Sequence, residues 1–193
     1  MRDKIIDIIN DAIHIKEEIL HNQIENIIKA AKLIIACYRA KGKVLIFGNG
    51  GSAADAQHIA AEFVGRFQKE RPGLAAIALN TNTSILTAVS NDYGYEIVFA
   101  RQVEALGESG DVAIGISTSG KAKNVIMGIK KAREMGLKTM CFSGGTGGEL
   151  SKAAELSFIV PSLVTARIQE AHITIGHIIC ELVEDELFRV SSK

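Results

Sequence analysis

Four polar side chains on two helical stretches stand where they could act together. His58 and Glu62 are four residues apart, about 40° on a helix of 3.6 residues per turn. Gln169 and His177 are eight apart, about 80°, so both can face one side of a second helix. Carboxylate and imidazole are the side chains that most often move protons near neutral pH. His58 and Glu62 alone would be an ordinary surface pair. The second helix argues for a site in which all four converge. His172 lies five residues before His177, about 140° away, and is expected to point elsewhere as a structural histidine. His14 and His21 have no partner signal and are read as surface or interface residues.

Two turns could supply the ligand to those side chains. Gly48-Asn49-Gly50-Gly51-Ser52 follows the apolar run Val44–Phe47 and precedes the stretch carrying His58 and Glu62. Small residues there let the backbone turn tightly and bring its N–H groups close to an anion or a sugar. Ser117-Thr118-Ser119-Gly120 follows a second apolar run, residues 111–116. Its hydroxyls exceed what a helix cap needs, and a helix N-terminus favours phosphate. Together the turns point to a phosphorylated small molecule. Gly48, Gly50 and Ala53 also fit the dinucleotide fingerprint G-x-G-x-x-A, which requires an acid at the end of the next strand. That strand ends in Asn80-Thr81-Asn82, with no acid. Asp92 lies in Ser90-Asn91-Asp92-Tyr93-Gly94, read as a polar turn. Arg66 ends the helix of His58, where a cation suits the dipole and could also bind an anion.

The elements that must hold these residues alternate. Strands are expected over Lys43–Phe47, Ala75–Leu79, Val112–Ile116, Lys138–Phe142 and Ser157–Val160. Helices are expected over Ala53–Arg66, Ser84–Val89, Glu96–Leu106, Ala122–Met135 and Gly148–Ala153, with a closing helix over Thr165–Phe188. Such alternation implies an α/β fold with a parallel sheet flanked by helices. Ligands then sit at the carboxyl ends of the strands, where both polar turns lie. Residues 3–40 read as one long helix whose recurring isoleucines need a partner, expected to be a second subunit.

At 193 residues the chain suits a single domain, with residues 1–42 as a helical oligomerisation segment and 43–193 as the α/β core. Acids and bases balance at 22 each, so no electrostatic footprint for nucleic acid or an anionic membrane is expected. The odd set Cys37, Cys141 and Cys180 lacks metal spacing and is expected to be reduced and buried. No apolar run reaches a membrane span and the first residues are not a signal peptide, so a cytoplasmic location is expected.

Taken together the motifs resemble the sugar-isomerase (SIS) family, and within it the branch acting on heptose phosphates. The carriers are GNGGSAADAQHIAAEFVGRF from Gly48, SNDYG from Ser90, GISTSG from Gly115 and RIQEAHITIGH from Arg167. The resemblance covers nearly the whole chain. It implies a five-stranded, flavodoxin-like sheet and a homotetramer with sites at subunit interfaces. It implies interconversion of sedoheptulose 7-phosphate and D-glycero-D-manno-heptose 7-phosphate, the first step towards ADP-heptose. By motif, Glu62 and His177 match the acid–base pair, and Ser52, Ser117, Thr118 and Ser119 the phosphate and sugar contacts. Asn49, Arg66, Asp92 and Gln169 match further substrate contacts, grouped with Gly50, Gly51 and Asn91 of the same motifs. The resemblance also implies zinc, one per subunit, held at His58, Glu62, Gln169 and His177. One departure is Ala122, where the family's turn usually has another serine or threonine; Lys121 or Lys123 could compensate by charge. The alternative reading is a non-catalytic module of this fold, such as a protein that associates with a DNA replication initiator. Gln169 and His177 favour the enzyme, since a scaffold needs neither.

Overall fold

The computed structural model describes residues 1–189. Five apolar runs become parallel strands: β1 Val44–Gly48, β2 Ala76–Ala78, β3 Val112–Ser117, β4 Lys138–Gly144 and β5 Leu156–Val160. Helices α1 Arg2–Asn22 and α2 Ile24–Arg39 precede the sheet. Between and after the strands come α3 Gly51–Val64, α4 Thr83–Tyr93, α5 Val98–Leu106, α6 Lys123–Glu134, α7 Gly148–Ala153 and α8 Thr165–Leu187. A single 3-10 turn, Tyr95–Ile97, joins α4 to α5.

The strand order is β2-β1-β3-β4-β5. The winding reverses between β1 and β3, and such a switch point opens a crevice at the carboxyl ends of the strands. The register pairs Phe47 with Gly115 and Gly48 with Ile116, so the two polar turns leave the sheet side by side. Neighbours 68 residues apart in the chain thus come together because their strands are adjacent.

Alternation along the strands feeds two cores. Ile46, Ile114, Phe142 and Phe158 pack beneath α2, α3 and α8 with Ile34, Phe63 and Ile175. Leu45, Phe47, Ala113 and Cys141 pack on the other face with Phe99, Val103 and Ile129. Burial of each large apolar side chain contributes about 1.5–3 kcal/mol. Gly176 of α8 lies against Ile59 of α3, where a Cβ would stand 2.8 Å from Cδ1 of Ile59. That missing side chain lets the two helices carrying the site approach closely.

The amino-terminal segment differs from the single helix expected. Gln23, at φ −120°, ψ −4°, interrupts it. The hydrogen-bond ladder nearly continues, because Gln23 donates to Ile19 O and accepts from Ile27 N–H. The isoleucine stripe also divides. Ile15, Ile19 and Ile27 are buried in the chain's own core, while Ile5, Ile6, Ile8, Ile9, Ile13 and Ile24 are exposed. The three cysteines are free and buried, as expected. No helix among the described residues is long and apolar enough to cross a membrane.

Candidate active site

The site rests on α3 and α8, which run side by side in the same direction. Gly51 faces Gln169 at their first turns, and His58 faces His177 further along. Glu62 Oε1 lies 3.1 Å from His58 Nε2. His58 Nε2 in turn lies 3.2 Å from His177 Nε2, with the rings edge to face at 4.9 Å between centroids. Phe67 tilts against the other side of His177, at 5.6 Å. Three of the four expected residues therefore converge through side-chain atoms from two helices.

A single N–H on His58 serves both Glu62 and His177 only as a divided bond. A cation set among the carboxylate and the two ring lone pairs satisfies all three at once. The three donor atoms lie within 4.8 Å of one another, so His58, Glu62 and His177 could hold a metal ion. The fourth expected residue, Gln169, packs at Gly51 and is not part of this group. Its amide covers Gly51, where any Cβ would collide with Nε2. Glycine at 51 thus makes room for the amide of Gln169 at the start of α3.

Asn49 of the glycine-rich turn is tied down by two residues that sequence reasoning missed. Asn49 Nδ2 donates to Asn124 Oδ1 and Asn124 Nδ2 donates back to Asn49 Oδ1, both at 2.9 Å. Tyr95 Oη also donates to Asn49 Oδ1, at 2.9 Å. Asn124 is buried, and its Oδ1 accepts the Val125 N–H as well. An asparagine at a helix start is so common that no local signal marks it as a partner of Asn49. Ser52, in the first turn of α3, is buried.

The hydroxyl-rich turn lies at the end of β3. Ser117 is buried on the strand, Thr118 is half-buried and Ser119 is exposed. Ser119 does not cap α6: the helix begins at Lys123, and its N-cap is Ala122, with no side-chain cap bond. Ser119 Oγ instead accepts the Lys121 N–H at 3.2 Å. A cleft of ≈ 250 Å³ opens here, lined by Thr118, Ser119, Lys121, Thr146, Ser162 and Thr165. Hydroxyls and a cation beside a helix start match what a phosphate requires. Thr146, Ser162 and Thr165 were not legible in the sequence, because they arrive from the turns after β4 and β5. Ile168 also lines this cleft, so α8 joins it to the Gln169 side of the site.

The remaining expected residues stand apart from the cluster within the chain. Arg66 is exposed, 3.6 Å from Glu70. Asn91 and Asp92 are exposed, and Asn91 Nδ2 donates to Asp92 Oδ1 at 2.9 Å. They belong to the last turn of α4, not to the polar turn expected; the chain reverses at Gly94, at φ 94°. His172 points away from His177, as its helical angle required. It is fully buried, and its Nε2–H donates to Ser143 O at 3.1 Å. Burial pushes its pKa down to about 4 and holds the ring neutral.

The SIS domain family matches residues 8–144. A phosphoheptose isomerase of Thermodesulfovibrio yellowstonii is 53% identical over 190 residues, 98% of this chain and 94% of the relative. One from Aquifex aeolicus is 55% identical over 96% of this chain and 97% of its own length. The chain belongs to the phosphoheptose isomerase family. Solved members of the family share its shape. Phosphoheptose isomerase GmhA of Neisseria gonorrhoeae superimposes with a TM-score of 0.90 at 42% identity, covering 95% of this chain and 98% of that one. The Francisella tularensis enzyme gives 0.91 at 36% identity, over 95% and 97%. A phosphoheptose isomerase needs the aldose–ketose chemistry that a non-catalytic module of this fold does not, so the family assignment excludes the module reading.

Proposed function

We propose that this chain interconverts sedoheptulose 7-phosphate and D-glycero-D-manno-heptose 7-phosphate, the first step towards ADP-heptose, with Glu62 and His177 as its acid–base pair. The observation that carries the assignment of roles is the Glu62–His58–His177 contact between α3 and α8. The phosphate end of the sugar sits among Ser117, Thr118 and Ser119, with Ser52 beside them and Lys121 supplying charge where Ala122 lacks a hydroxyl. Asn49, Gly50, Gly51, Arg66, Asn91, Asp92 and Gln169 orient the hydroxylated chain.

Isomerisation moves one proton between adjacent carbons. Glu62 takes the proton from C1 of the ketose, and His177 protonates the carbonyl oxygen at C2 to give the enediol. Glu62 returns the proton to C2, and His177 takes the hydroxyl proton from the oxygen at C1 as the aldehyde forms. The phosphate and hydroxyl contacts hold the reacting carbons within reach of both groups, which lowers the barrier by pre-orientation.

The donor set fits zinc. His58, Glu62 and His177 would hold it, with the amide oxygen of Gln169 as the fourth candidate ligand. A bound zinc ion would supply Lewis-acid polarisation of the substrate carbonyl. The exposed isoleucines of α1 support a homotetramer in which these faces pair, and light scattering should report a mass near four chains. A fully active monomer would refute that assembly. The same reading makes the chain a cytoplasmic enzyme, in keeping with the lack, among the described residues, of a helix able to cross a membrane. The direct test is to follow heptose 7-phosphate formation by purified protein, with and without added zinc. Absence of conversion in either direction under both conditions would overturn the proposal.

A further inference from the structure

A second set of contacts ties α3 to α8 beyond the histidines. Arg71, in the loop after α3, reaches back to the end of that helix. Its Nη2 donates to Glu62 O at 2.8 Å and its Nη1 to Phe63 O at 2.9 Å. A guanidinium there satisfies carbonyls left free by the helix end and complements its dipole. Its Nε donates to Glu184 Oε2 at 2.8 Å. Glu184 also accepts the backbone N–H groups of Phe67, Gln68 and Lys69, at 2.9, 2.7 and 2.6 Å. Both side chains are buried, at 1% and 2% exposure. The carboxyl of Glu184 is held down to about 2: burial opposes its charge, but the three backbone N–H groups and Arg71 outweigh it.

The position of this pair matters more than its strength. Glu184 lies seven residues after His177, about 20° from it on α8, so both face α3. Arg71 binds the backbone of Glu62 itself. Through Phe67 N–H, Glu184 also places the ring that rests on His177. One ion pair therefore grips the backbone of Glu62, the helix of His177 and the ring between loop and histidine. We propose that Arg71 and Glu184 are a positioning pair, setting the spacing and facing of Glu62 and His177. A buried ion pair is weak grounds for stability alone, since apolar replacements of similar volume are often as stable. Geometric control of two reacting groups gives it a function.

The inference rests on the acid–base reading above, and the test separates the two. Steady-state kinetics of wild type, Glu184→Gln and Arg71→Lys are compared well below each melting temperature, with circular dichroism and light scattering confirming fold and mass. Glu184→Gln keeps the shape but loses the charge and one acceptor. Arg71→Lys keeps the charge but cannot reach Glu184 and two helix carbonyls together. The pair predicts kcat reduced by about 10- to 100-fold in both variants, the cost of misplacing reacting groups by about an ångström. KM should stay within about threefold, because neither residue meets the sugar. The limbs of the kcat/KM profile against pH should also move. Lower melting temperatures with unchanged kcat and pH profile would make the pair merely structural and overturn the inference. If Glu184→Gln does not fold, Arg71→Lys decides alone. If wild type itself does not isomerise, the functional reading fails, and a crystal structure of Arg71→Lys then decides the geometry. A Glu62–His177 spacing unchanged from wild type would refute the pair.

Discussion

Replacing Glu62 by glutamine tests the proton transfer while preserving the residue's size and its backbone contact. The amide keeps the size of the side chain and one acceptor oxygen 3.1 Å from His58 Nε2. The backbone carbonyl of residue 62 still accepts from Arg71. What disappears is a group able to take a proton from carbon, together with the negative charge a zinc ion would meet, so the zinc content of the variant is measured alongside its turnover. General acid–base catalysis contributes about 100- to 10,000-fold, or about 3–5 kcal/mol in the barrier. Stability should change little by comparison. The Glu62 and His58 side chains are 23% and 49% exposed, and ion pairs of that kind contribute about 0–1 kcal/mol. The variant should thus be a folded protein with turnover at least ~100-fold down. Heptose 7-phosphate formation by wild type and variant at matched concentration measures the first quantity, and a thermal melt the second. Turnover within a few-fold of wild type would refute Glu62 as the base. An equal fall in activity and folded fraction would show only that the variant is damaged.

Other expectations follow from the same geometry. Ser119→Ala should weaken sedoheptulose 7-phosphate binding by about 1.5–3 kcal/mol in calorimetric titration, through loss of a charge-assisted hydrogen bond; unchanged affinity would move the phosphate elsewhere. Ala122→Ser should raise the melting temperature, because Ala122 is the N-cap of α6 without a side-chain bond and a serine cap stabilises by about 1 kcal/mol. In protein prepared without chelator, metal analysis should find up to one zinc per chain, sharply reduced in His58→Ala but not in His172→Ala; equal loss in both would contradict the facing of these rings. His172 titrates near 6.5 when unfolded but only at about 4 when folded, so below pH 6.5 the unfolded chain binds the extra proton. Stability should therefore be fully present above pH 6.5 and fall towards pH 4, less steeply in His172→Asn; identical slopes in the two proteins would refute this.

The features legible in the sequence were those set by local pattern. Apolar runs bounded by glycine or proline marked all five strands, and α7 was read at its observed bounds, Gly148–Ala153. Helical angles separated His172 from His177 without any knowledge of the partner helix. Local pattern failed where distant contacts decide. Nothing in Asn22-Gln23-Ile24 breaks a helix by propensity, yet the chain bends there, with Ile19 and Ile27 on either side turned into the core. Ser90–Gly94 has turn composition, but its first four residues complete a helix. Asn49 and Asn124 are joined across 75 residues, and Arg71 and Glu184 across 113. Sheet order and helix packing bring such pairs together, and the local sequence around either partner is unremarkable.

The central claim is that Glu62 and His177 carry one proton between neighbouring carbons of a phosphorylated ketose. Incubation of purified protein with sedoheptulose 7-phosphate in deuterated water tests it most directly. Proton transfer through an enediol predicts D-glycero-D-manno-heptose 7-phosphate that carries deuterium at C2 to the extent that the proton on Glu62 exchanges with water before its return, seen by NMR, with both product and label lost in Glu62→Gln. Turnover or label undiminished in Glu62→Gln would contradict it, and so would deuterium that enters the product anywhere but C2.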